Sequence, residues 1–171
     1  MTRILGIDPG SRITGFGIIE TRGHTSLYVT SGCIRVPPGD IPSRLKVIFS
    51  EVTDLIAAHQ PDEIAIETVF MNRNVDSALK LGQAQGAAIC AAVMQSLPVA
   101  EYTPAQIKQG IAGKGNAEKH QVLHMVKALL ALQGEPQADA ADALAVALCH
   151  SHLRHSGYRR AVAGAAQGRW S

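Results

Sequence analysis

Four carboxylates stand where an acid needs a reason. Asp8 ends the apolar run 4–7 inside Gly6-Ile7-Asp8-Pro9-Gly10-Ser11, and a charge so close to core residues is costly unless paired or metal-bound. Asp-Pro-Gly is also good turn chemistry, so the segment by itself leaves a capping role open. Glu67 ends the alternating stretch 63–67, whose first residue, Glu63, reads as a surface acid. Asp139 and Asp142 are three apart and so share one helical face. A helix N-terminus favours acids through its dipole, but their neighbours Ala138, Ala140, Ala141, Ala143, Leu144, Ala145 and Val146 are small and apolar. A helix built this way presses closely on a sheet, and its acids point into that contact.

Metal-assisted phosphodiester hydrolysis is the chemistry that wants four carboxylates and little else. Two Mg2+ ions about 4 Å apart activate the attacking water and stabilise the leaving oxygen, and small hard cations prefer carboxylate oxygens. In that arrangement Asp8 bridges both ions, Glu67 serves one, and Asp139 with Asp142 completes the other. No histidine–cysteine cluster competes for a softer metal. Cys33, Cys90 and Cys149 form neither a C-x-x-C nor a paired framework and read as reduced and mostly buried.

The elements that must hold these acids can be read from periodicity. Short apolar runs at 4–7, 15–20 and 27–34, separated by turn residues, predict three strands in an antiparallel meander. From 42 to 59, Leu45, Ile48, Phe49, Val52, Leu55 and Ile56 recur at steps of three and four, one buried helical face. The strand 63–67 follows and should neighbour the first, which brings Glu67 near Asp8. A long helix is predicted over 76–97, with Asp76 as N-cap and Pro98 as stop. Its Gly82-x-x-x-Gly86 stripe permits close approach, either for packing on the sheet or for a homodimer contact. A fifth strand at 99–102, a short helical turn at 104–109, an amphipathic helix at 118–132 and a last helix from about 137 to 154 complete the order. The fold class is α/β, a mixed five-stranded sheet flanked by helices in one domain over 1–155. Residues 156–171, rich in Gly, Ala and Arg, read as a flexible basic tail.

A chain of 171 residues that is 46% hydrophobic is the size of one ordinary domain with a real core. Neither an 18-residue apolar run nor a secretory leader is visible, so a cytoplasmic protein with no membrane partner is expected. The formal charge of +2 says little about partners. Neutralising four of the 14 acids with metal leaves 10 against 16 basic residues, a balance of +6 suited to a polyanion. On charge alone, a merely solvated surface fits Arg73, Lys80, Lys108, Lys114, Lys119, Arg154, Arg159 and Arg160 equally well.

The sequence resembles the RuvC family of Holliday-junction resolvases, endonucleases with an RNase H-like fold, from residue 1 to about 150. The resemblance rests on ILGIDPGSR at 4–12, AIETVFM at 65–71 leading to NVDSALKLGQ at 74–83, and PQADAADALA at 136–145. It implies a homodimer that binds four-way DNA junctions and makes paired symmetric nicks with 5′-phosphate ends, working with the RuvA and RuvB branch-migration complex. The family's metal-ligating acids fall on Asp8, Glu67, Asp139 and Asp142, with Mg2+ as cofactor and Mn2+ as its substitute. Phe70 matches an aromatic that stacks on unpaired bases, and Lys108 and Lys119 match phosphate contacts. Arg73, Asn74, Lys80 and Lys114 are further candidates for DNA binding, and Gly82 and Gly86 for the dimer interface.

Other readings are weaker. The loop at 6–11 also resembles the first phosphate loop of actin-like ATPases and sugar kinases, which need two lobes where this length supplies one. Gly110-Ile-Ala-Gly-Lys-Gly115 lacks Walker A spacing and a Ser or Thr after Lys114. A nonenzymatic junction binder would be expected to have lost at least one ligand. An RNase H-fold nuclease acting on structured RNA is the alternative that the metal site itself does not separate. His120, His124, His150, His152 and His155 read as surface or tail residues without a role.

Overall fold

A computed structural model describes residues 1–68 and 74–154. Among them the chain forms β1 (Thr2–Asp8), β2 (Ile13–Arg22), β3 (Thr25–Arg35), α1 (Ile41–His59), β4 (Glu63–Glu67), α2 (Val75–Met94), β5 (Val99–Tyr102), α3 (Pro104–Ala112), α4 (Lys119–Leu129) and α5 (Ala138–Arg154). The sheet order is β3-β2-β1-β4-β5, with β1–β2 and β2–β3 antiparallel and β1–β4 and β4–β5 parallel. The expected mixed sheet and the placing of β4 beside β1 are therefore both present. No helix among the described residues is long and apolar enough to cross a membrane.

Strand parity divides the core into two layers. Leu5, Ile7, Ile18, Ile64 and Ile66 face α1 and α2. Ile4, Ile19, Ala65 and Tyr102 face α3, α4 and α5. On that second face the sheet is lined with glycine where α5 crosses. A methyl on Gly6 would sit 2.2 Å from the Ala143 carbonyl oxygen, and one on Gly15 would sit 2.0 Å from that of Asp139. Only hydrogen fits at either place, so the small residues of α5 meet a groove without side chains.

Several boundaries differ from the sequence reading. Asn74, not Asp76, caps α2: its side chain accepts from the Ser77 N–H at 3.2 Å, while Asp76 pairs with Lys80 one turn on. Both are good capping types, and the one nearer the chain's entry satisfies the first free donors. The short turn after β5 is a full helix, α3, opened by a capping box of Thr103 and Gln106. The cysteines are free, but only Cys149 is buried; Cys33 is half-buried and Cys90 exposed on α2. Residues 155–171, which include the expected tail 156–171, lie outside the described residues.

Candidate active site

Asp8 and Glu67 take their places from strand parity. Asp8 follows Ile7, which packs towards α1, and so turns to the α5 face with Ile4 and Gly6. Glu67 follows Ile66 in the same way, and Ile7 pairs with Ile66 across the parallel β1–β4 ladder. Two acids thus end adjacent strands on one face. α5 starts over them, with Asp139 in its first turn, and the close approach permitted by Gly15 draws that turn onto β2. Asp8, Glu67, Asp139 and Asp142 line one open cleft of about 360 Å3 together with Lys108, Lys119, Pro104, Ile107 and Val122.

The electrostatics of the cleft are strained by burial. Burial, then the neighbouring charges of Glu67, Asp142 and Asp139, push the Asp8 carboxyl up to about 8, with Lys119 opposing. Burial first and Asp142 next also raise Glu67, against Lys119, a hydrogen bond with Asp8, and Lys108. Asp142 is paired with Lys119 at 2.8 Å, and that hydrogen bond is the main cause holding the lysine above its usual range. Four acids against two lysines is a surplus of negative charge that suits hard divalent cations. The donors are all oxygen. Among the described residues no three acid, histidine or cysteine side chains converge tightly enough to wrap one ion; the four acids line the cleft without closing on one point.

The turn after Asp8 is held by residues that the sequence reading did not single out. Buried Thr14 accepts from the Gly10 N–H at 3.3 Å and donates to the Gly10 carbonyl at 3.0 Å. The Arg44 guanidinium donates to the Ser11 carbonyl. Cys33 pairs with Gly15 across β2–β3, close enough to the site for Asp139 to add to the effect of burial in raising its thiol.

The other candidates are spread out. Lys80 lies on α2 beside Ser11 and Arg44, away from the carboxylates, and Lys114 is exposed between α3 and α4. Asn74 spends its side-chain oxygen on the α2 cap. Gly82 has open space where a side chain would be. So has Gly86, and the exposed Val75, Leu79 and Val93 lie on the same helix, while Ala84, Ala88, Ala91 and Ala92 are the ones that pack inward. Phe70 and Arg73 lie outside the described residues.

Glu63 and His150 overturn the surface roles read for them. His150 is 1% exposed, with Nδ1 2.7 Å from Tyr102 Oη and Nε2 2.6 Å from Glu63 Oε2. Glu63 also pairs with Arg154 at 3.1 Å. The signal was present in the sequence: His150 continues the apolar run 143–149 of a helix that must press on the sheet, and Glu63 has the parity of Glu67.

Comparison with known proteins adds the remaining findings. The family model described as crossover junction endodeoxyribonuclease RuvC matches residues 4–150. A Shewanella loihica protein of that name is 59% identical over 156 residues, 91% of this chain and 90% of its own, and a Shewanella baltica one is 58% identical with the same coverage. Thermus thermophilus RuvC, solved in complex with a Holliday junction substrate, superposes with a TM-score of 0.87 at 32% identity, over 92% of this chain and 97% of that one. A yeast mitochondrial Holliday junction resolvase shares the fold, with a TM-score of 0.64 at 14% identity, over 93% of this chain and 84% of its own.

Proposed function

Given that the chain belongs to the RuvC family of crossover junction endodeoxyribonucleases, we propose that it resolves four-way DNA junctions by paired symmetric nicks, each leaving a 5′-phosphate. The observation that carries this reading is the meeting of Asp8, Glu67, Asp139 and Asp142 with Lys108 and Lys119 in one cleft. The acids are the ligand set for Mg2+, two ions per site, with Mn2+ able to substitute. When bound, such ions supply Lewis-acid activation of water and neutralise charge on the leaving oxygen.

The chain's own residues do the rest. Lys108 and Lys119 stand at the cleft to hold non-bridging phosphate oxygens, and Lys119 is free to do so once a cation takes over its partner Asp142. Asp8 must release the proton that burial favours before it can serve as a ligand. The apolar contacts of Pro104, Ile107 and Val122 wall the cleft on the α3 and α4 side and limit bulk water. Phe70 stacks on an opened base, and Arg73, Asn74, Lys80 and Lys114 are assigned to the DNA backbone.

Two symmetric nicks call for two sites related by a two-fold axis. The α2 face carrying Gly82 and Gly86, bordered by Val75, Leu79 and Val93, is the surface we assign to a homodimer. The RuvA and RuvB branch-migration complex is the partner that delivers the junction, and the cytoplasm is where that DNA is met. Incubation with Mg2+ and labelled four-way junction, linear duplex and RNA hybrid, each against an EDTA control, tests the reading. Cleavage confined to the junction is expected; preference for the RNA hybrid would replace it with an RNA-directed activity.

A further inference from the structure

Glu63 and Glu67 occupy the two ends of β4 on one face, and α5 runs over that face in the opposite direction. It begins at Asp139 and Asp142 beside Glu67 and ends at His150 and Arg154 beside Glu63. Asp142 and His150 are eight residues apart, two steps of four along one helical face, which is a rise of about 12 Å. Glu63 and Glu67 are four strand residues apart, about 13 Å. The two spans match, so fixing one end of the helix on the strand fixes the other.

The contact between them is smooth. Ala143 and Ala147 lie over Gly6, and Leu144 lies over Gly17, positions where the sheet has no side chain to act as a stop. Such a groove gives close approach but few knobs to oppose sliding by one residue, about 1.5 Å. Directional bonds oppose it better: a shift of that size must stretch, compress or bend the 2.6 Å His150–Glu63 and 2.7 Å His150–Tyr102 contacts away from their short geometry. One neutral tautomer of His150 satisfies all three groups: with the proton on Nε2, the Tyr102 hydroxyl donates to Nδ1 and Nε2–H donates to the Glu63 carboxylate, which also pairs with Arg154. Tyr102 reaches the catalytic end as well, since its backbone carbonyl accepts from the Thr68 N–H at 2.8 Å, directly after Glu67.

We propose that Glu63, His150 and Tyr102 form a register lock that sets α5 along β4 and thereby holds Asp139 and Asp142 over the cleft they share with Asp8 and Glu67. They are positioning residues: they touch neither substrate nor metal. The inference rests on the metal-nuclease reading above.

The test compares wild type with Glu63→Gln, Glu63→Leu and His150→Phe by four measurements. These are calorimetric Mn2+ binding to the free protein, the Mg2+ concentration for half-maximal junction cleavage, junction affinity in EDTA, and the thermal midpoint. Glu63→Leu and His150→Phe should weaken Mn2+ binding and raise the Mg2+ requirement about tenfold or more, as loss of ligand-orienting partners does elsewhere. Junction affinity in EDTA should stay within about twofold of wild type, since the phosphate-holding lysines are untouched. Glu63→Gln, which keeps an acceptor for Nε2–H, should fall between, and it decides the matter if the bulkier changes do not fold. A lowered midpoint with unchanged Mn2+ binding in all three variants would overturn the lock and leave the cluster a stability feature. If wild type itself fails to cut junctions while Mn2+ binding still weakens in the variants, the lock stands and the junction reading falls.

Discussion

Asp8 is half-buried among three other acids, and its carboxyl is pushed up to about 8 first by burial and then by Glu67, Asp142 and Asp139. An uncharged amide of the same shape removes that conflict along with the ligand. Asp8→Asn should therefore abolish strand cleavage while junction binding, measured by mobility shift, persists through the cationic contacts. Loss of binding together with folding would mean that Asp8 is structural. Phe70→Ala belongs to recognition: stacking helps hold the opened base, so cleavage of a synthetic junction should fall more than affinity does, and an unchanged cleavage rate would remove Phe70 from the site. That these four acids share a cleft could be read from the sequence because each breaks a local pattern, two at the ends of apolar strands and two in a run of alanine. Glu63 could not be found that way. As an acid opening a short alternating strand it has an ordinary surface explanation, and its partner His150 lies 87 residues away. The apolar run before His150 and the parity of Glu63 point each residue inward, but neither neighbourhood names the other as its partner; only the layering of α5 on β4 brings them together.

Among the elements, α5 and the strands beneath it are matched in composition. The alanines announced a helix built for close approach, and Gly6, Gly15 and Gly17 supply the surface it approaches. The reading from sequence saw one half of that match, since glycines in β1 and β2 read there only as members of apolar or turn-rich runs. Gly15→Ala should be severe, because the added methyl would sit 2.0 Å from the Asp139 carbonyl and the helix bearing two site acids must move. A loss of about 3 kcal/mol, at the upper end of overpacking costs, should appear as a lower urea midpoint; a change within about 0.5 kcal/mol, typical of a surface site, would show that the contact is slack. Gly86 offers the opposite case. A side chain there meets nothing within 4 Å in the single chain, so Gly86→Leu should leave folding intact while shifting sedimentation from dimer towards monomer. An unaltered mass would take α2 out of the interface. Capping types told where α2 begins only to within a turn, since Asn74 and Asp76 are both competent and their competition is settled by where the chain enters.

For the whole molecule, the acid cluster couples folding to pH and to metal. The Asp8 carboxyl lies near 3.8 when unconstrained and at about 8 in the fold, and Glu67 is raised as well. At these two acids the folded state therefore holds more protons than the unfolded one between pH 4 and 8, and their contribution to stability falls as pH rises through that window. Below pH 4 both states are protonated and the penalty is absent; above pH 8 it is fully felt. Lys119, raised by Asp142 from a starting value of 10.5, stays charged throughout this range and adds no slope. Each unit of differential protonation is worth about 1.4 kcal/mol, and each kcal/mol moves the midpoint of a chain this size by about 2–4 °C. In EDTA the thermal midpoint should thus drop several degrees from pH 5 to pH 8, and Asp8→Asn should flatten that drop and exceed wild type at pH 8. With Mg2+ the slope should shrink or reverse, because cations bind only the deprotonated acids and stabilise the fold more as protons leave. A wild-type midpoint that rises from pH 5 to pH 8 in EDTA, with no difference in Asp8→Asn, would mean that burial and the neighbouring acids do not hold a proton on Asp8 in the folded chain.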